Sequence, residues 1–220
     1  MPLADAIRDG NPVRGVNRGT GHNVDGRTPG ISQPSTDVQK KLVGRAYEVA
    51  GITDSKATST VVFHGTGTAV GDPFKAKAVA CIFGDPGVYI SSIKTNLGYA
   101  GSASGLASVI EMVLALENNT IFPNIRFSSP NPNILLESAK LTVPLEATSW
   151  PSGKMARVSV NSFGIGGANA HVILNLAATL DARPMDSHPL RRPQILLHSA
   201  TKLAFLERLA KRHSIFVQEN

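Results

Sequence analysis

Apolar positions recur along this chain at two spacings, and the alternation between them marks out its elements. From Asp37 to Ala50 the apolar residues Val38, Leu42, Val43, Ala46 and Val49 share one side of a 3.6-residue helix. Ser35 or Thr36 is placed to cap it, and Gly51 to stop it. The run "STVVFH" (59–64) is β-branched and apolar throughout, which predicts a strand buried on both faces. Asp72 and Pro73 then suit the first turn of a helix reaching Phe83. "GVYISSI" (87–93) predicts a second strand and a loop after it. Ser102 or Ser104 caps a further helix to Glu117, its apolar face carried by Leu106, Val109, Ile110, Val113 and Leu114. "IFPNIRFSSPNPNI" is proline-broken coil. "RVSVNSF" (157–163) and "AHVILNL" (170–176) predict a hairpin closed by the glycines of "GIGGAN". Toward the C-terminus "QILLHSA" predicts a strand, and "ATKLAFLERLAKRHSIFV" an amphipathic helix of a separate module.

Strands alternating with helices indicate an α/β fold. Residues 1–36, rich in Gly, Pro, Asn and Arg, read as a loop-rich segment with little core of its own. Residues 37–178 form the main body, and 179–220 the start of a second region.

Composition narrows the classes. The 220 residues are 42% hydrophobic and 17% charged, as in a globular protein. A net charge of +6 comes from basic residues scattered mostly singly, without interleaved aromatics, so a solvated basic surface is favoured over a nucleic-acid groove. The single cysteine, Cys81, excludes an internal disulfide and a cysteine-rich zinc site, and no metal is predicted. Cys81 itself reads as a buried small side chain in the helix after "GDP". With no predicted signal peptide and no apolar run near the ~20 residues of a membrane helix, the expected compartment is the cytoplasm, away from membranes.

Three glycine-rich loops each follow a predicted strand, where backbone N–H groups suit developing negative charge. None carries a nucleotide motif, and "GSASG" puts Ala103 where a nucleophile-elbow serine belongs. Taken singly, each loop reads more readily as structural than as functional. His64 stands apart, since it ends a buried strand, where α/β proteins build sites.

"HGTGTAVGDP", "SSIKTNLGYAGSASGLASVIEMVLALEN" and "VSVNSFGIGGANAHVIL", in this order, closely resemble the C-terminal half of the ketosynthase domain of modular and fungal iterative polyketide synthases. "NVDGRTPGIS" resembles the segment just upstream, and the tail from Pro193 the start of the ketosynthase–acyltransferase linker. The resemblance implies a thiolase-like layered fold, of which this is the second half, with a short α/β linker module after it. It also implies decarboxylative Claisen condensation. A cysteine holds the acyl chain, and two histidines promote malonyl decarboxylation and stabilise the oxyanion. Nothing is implied as a resident cofactor, because the family acts on phosphopantetheine thioesters of an acyl-carrier protein. An acyl-carrier protein, a complementary half and, for the intact family, a second copy are the implied partners.

Residue by residue, the resemblance assigns His64 as the first histidine and Lys94 as the lysine that supports the site. Thr66, Thr68, Asn96, Phe163, Gly164, Gly166 and Gly167 are assigned to substrate binding and gating. The second histidine's seat holds Tyr99. Lys75 replaces a glutamate, and Val62-Phe63 replace Glu-Ala before His64. A phenol donates a hydrogen bond but is a poor base near neutrality. The nucleophile's motif would precede Met1, and Cys81 does not substitute for it. The expectation is a truncated ketosynthase without condensing activity of its own. One half of a split enzyme and a non-catalytic carrier-binding protein are the alternatives.

Overall fold

A computed structural model describes residues 1–30, 33–69, 71–180 and 202–219. The elements run α1 (Leu3–Arg8), β1 (Gly15–Val24), α2 (Thr36–Val49), β2 (Thr58–Val62), α3 (Gly71–Phe83), β3 (Val88–Ser91), α4 (Lys94–Leu97), α5 (Ser104–Glu117), β4 (Thr120–Ile121), β5 (Leu141–Thr142), β6 (Thr148–Ser149), β7 (Met155–Phe163), β8 (Ala168–Leu176) and α6 (Leu203–Glu219). Two compact units divide the chain, Met1–Met185 and Asp186–Asn220.

In the first unit a six-stranded mixed sheet has the order β1-β8-β7-β2-β3-β5. β7 and β8 pair antiparallel as the predicted hairpin, and β2 lies parallel to both β7 and β3. Adjacent strand residues point to opposite faces. Val61 joins Val43, Ala46, Val79 and Phe83 under α2 and α3, whereas Val62 joins Met112, Leu116 and Val160 under α5. The result is helix, sheet, helix, with a core on each side of the sheet. Tyr47 of α2 secures one side, its hydroxyl 2.7 Å from both Thr58 Oγ1 and Ser159 Oγ.

Most predicted elements are present, with these corrections. Residues 15–24 are not loop but the ten-residue edge strand β1. Its glycines serve packing, since a Cβ on Gly21 would lie 2.9 Å from Leu42 Cδ1, and one on Gly19 would lie 3.0 Å from Ala46 O. Glycine lets α2 approach the strand closely there. Ser35 does cap α2, accepting from Val38 N–H at 3.3 Å. By contrast Ala103 occupies the α5 cap position, without a side-chain hydrogen bond, so neither Ser102 nor Ser104 serves. Four residues of the loop expected after β3 form the helix α4.

The apolar face assigned to α5 holds only in part, since Val109 and Val113 pack against the core. Leu106 is 71% and Ile110 62% exposed, while Ser104, Ser108, Glu111, Met112, Ala115 and Leu116 are buried. α5 is apolar nearly all round, so periodicity alone does not choose its inner face. Cys81 is exposed. It falls beside Lys77 on the outer side of α3, because Asp72, Lys75, Ala76, Val79 and Phe83 take the inner one.

The second unit is described only by α6, an amphipathic helix in which the Arg208 guanidinium lies 4.4 Å over the Phe205 ring. The strand predicted over 194–200 lies outside the described residues. No helix among the described residues is long and apolar enough to cross a membrane.

Candidate active site

His64 follows the C-terminal end of β2, where the sheet's parallel strands open onto a cavity of about 610 Å³. Thr66, Thr68, Lys75, Tyr99, Phe163, Gly164, Gly166 and Gly167 line this cavity with it. Three loops, distant in sequence, meet here because β2, β3 and β7 are neighbours that deliver their ends to one edge.

The His64 ring is 5% exposed. Its Nδ1 accepts a hydrogen bond from the Phe163 backbone N–H at 3.3 Å. A neutral imidazole has one acceptor nitrogen and one N–H, so this bond puts the hydrogen on Nε2. Burial first, and then the charges of Lys94 and Lys75, push the His64 pKa down to about 3. At neutral pH the residue is an uncharged donor.

The Tyr99 ring meets His64 edge-on, with 6.5 Å between ring centroids, and stays 65% exposed. The larger phenol fits by standing at the rim. Lys94 Nζ lies 5.9 Å from the Tyr99 ring centroid. Gly98 and Gly101, both at positive φ, bracket this turn. Phe163 lies 6.3 Å from His64 by ring centroids. Gly167, at φ +85°, closes the β7–β8 turn, and its N–H bonds back to Gly164 O. Asn169 secures that turn from below, donating from Nδ2 to Asn23 Oδ1 and Asp25 Oδ1. Lys94 and Asn96 do not line the cavity, and Asn96 is held by backbone groups. Its Nδ2 donates to Pro123 O at 2.9 Å and its Oδ1 accepts from Ile125 N–H at 3.2 Å.

Four charged groups influence one another here, and of these Lys75 lines the cavity. Lys75 Nζ is 3.4 Å from Asp72 Oδ1, and burial lowers the pKa of Lys75 against the pull of Asp72. Burial and then Lys75 lower the pKa of Lys94. Burial raises the Glu111 carboxyl to about 7, against the charge of Lys94. Glu111 and Gln39 escape a reading of the sequence. Glu111 sits among apolar residues of α5, and Gln39 lies beside the apolar side of α2. Only the burial of each inside the fold gives it meaning. Gln39 lines the cavity at 0% exposure.

The profile of the beta-ketoacyl synthase C-terminal domain matches residues 14–128, just over half of the chain. The chain belongs to the beta-ketoacyl synthase family. A ketoacyl-synthetase C-terminal extension matches residues 130–219. Over 219 residues, all of this chain, it is 54% identical to the highly reducing polyketide synthase sphB of Aspergillus fumigatus, and it covers 9% of that protein. It is 49% identical to the highly reducing polyketide synthase VdtX of Byssochlamys spectabilis, covering 10% of it. Among solved structures, the oxazolomycin ketosynthase domain OzmH KS8 of Streptomyces albus JA3453 aligns with a TM-score of 0.78 at 30% identity, over 90% of this chain and 53% of that one. The module 6 ketosynthase of the bacillaene synthase from Bacillus subtilis 168 aligns with a TM-score of 0.77 at 32% identity, over 100% and 38%. The ketosynthase chain described here is therefore the C-terminal part of a polyketide-synthase ketosynthase, with the α/β, thiolase-like layered fold of those neighbours. It spans about a tenth of the length of the curated relatives it matches.

Proposed function

We propose that this chain supplies the oxyanion-binding wall of a decarboxylative condensation site acting on thioesters presented by an acyl-carrier protein. The observation that supports it is the His64 ring, buried and neutral, with Nδ1 engaged by Phe163 N–H and Nε2–H left to donate into the cavity. In the reaction, a malonyl thioester loses its carboxylate as carbon dioxide, and the C–C bonding pair remains as an enolate. The enolate carbon attacks the carbonyl of an acyl thioester held on a cysteine. The tetrahedral intermediate collapses by expelling the cysteine thiolate. Negative charge on the thioester oxygen is met by the Nε2–H of His64, and a donor so placed is commonly worth about 10²–10³ in rate. Tyr99 contributes a second donor, its hydroxyl, at the rim.

The cysteine must be brought by another stretch of polypeptide, because Cys81 is exposed on α3 and does not line the cavity. Leu106 and Ile110, exposed one turn apart on α5, favour a complementing ketosynthase half laid against that helix. Incubating this chain alone with acyl and malonyl thioesters is expected to yield no carbon–carbon product. Adding a cysteine-bearing half is expected to yield product slowly. Condensation by the chain alone would overturn the reading.

A further inference from the structure

We infer that Lys75 and Gln39 form a carboxylate-binding subsite in the cavity that His64 also lines, so that this pocket positions an acyl group carrying a free carboxylate. Thr36 Oγ1 donates to Phe74 O at 3.2 Å, tying the first turn of α2 to that of α3. Gln39 and Lys75 occupy those two turns, and both line the cavity.

Two observations converge. The Gln39 carboxamide is wholly buried, and neither Oε1 nor Nε2 has a hydrogen-bond partner among the described residues. A buried amide without partners is costly, and a ligand that bonds to it recovers that cost. Lys75 is 7% exposed and has a single carboxylate neighbour, Asp72, at a long 3.4 Å. Asp25, a carboxylate that also lines the cavity, accepts from Asn169 Nδ2 at 2.8 Å. An ammonium and an amide N–H₂ lining one cavity are a donor set for a carboxylate. Lysine stands here where the family resemblance places a glutamate, so the subsite is a property of this chain.

This inference rests on the condensation reading only in assigning the carbonyl of the ligand to His64. A binding measurement without turnover separates the two, since absent product would bear on that reading and absent binding on this one. Monomethyl malonate carries one carboxylate and one ester carbonyl, acetate only the carboxylate, and dimethyl malonate no charge. Titration of the full chain by NMR is expected to shift the Gln39 side-chain N–H₂ resonances with monomethyl malonate, more weakly with acetate and not with dimethyl malonate. In Lys75→Met the affinity is expected to fall about tenfold to a hundredfold, as for a lost charge-assisted bond, and in Gln39→Leu several-fold. Lys77→Met, an exposed position on the same helix, should leave it unchanged. Unmoved Gln39 resonances in the unmodified chain, equal binding of the neutral diester, or undiminished binding by a folded Lys75→Met would each overturn the inference.

Discussion

A buried imidazole that never ionises near neutrality is a different tool from one that titrates there. His64 has its pKa lowered to about 3, by burial first and then by two lysines. Between pH 8 and 5 its ring resonances are therefore expected to stay fixed, and an NMR titration with a midpoint near 6.5 would contradict the geometry. Because the folded pKa lies below the unfolded value, its contribution to stability is present above pH 6.5 and is lost as pH falls from about 6.5 toward 3. Glu111 runs the other way. Its carboxyl is raised to about 7, so its contribution is full below about 4.5 and is lost as pH rises through 7. Glu111→Gln should flatten that decline in a series of melts between pH 5 and 8. At Tyr99, replacement by His in the assembled ketosynthase is expected to raise the condensation rate, by up to about 10²–10³ if the imidazole reaches the developing charge. A folded, assembled Tyr99→His variant no faster than the parent would show that the phenol already serves that seat.

Elements here are held by close approach as much as by apolar area. β1 reads as coil because glycine is scarce in ordinary strands. Its glycines instead make room for α2, and a Cβ at Gly19 would press on Ala46 O and Ala50. Gly19→Val is expected to cost about 1–3 kcal/mol by overpacking, read as a lower denaturant midpoint with an unchanged slope. α5 went astray for a related reason. With apolar residues on nearly every side, its hydrophobic pattern has no unique direction, and the sheet decided which residues were buried. The hairpin of β7 and β8 was legible because its two β-rich runs flank a glycine turn, a local signal that needs no partner.

At the scale of the whole molecule, the sheet is covered on one side by α2 and α3 and on the other by α5, yet α5 still shows Leu106 and Ile110 to solvent. Ile110→Asp should leave the thermal melt of this chain within about 0.5 kcal/mol, as expected for an exposed site, while weakening capture of a cysteine-bearing ketosynthase half. A variant that melts much earlier, or one that still binds that half fully, would place this pair elsewhere in function.

The residues alone determined what is local or carried by contiguous motifs: the helix capped by Ser35, the hairpin, the strand ending at His64, the family and the tyrosine in the second histidine's seat. Tertiary structure decided what depends on the far side of a fold. It set which face of α5 is buried, made glycines a packing surface, committed Asn96 to the backbone, and gathered Gln39 and Lys75 around one pocket. The physical reason is that spacing along a chain encodes direction about a single helix or strand. Burial, charge coupling and an unpartnered amide come into being only when separate elements meet.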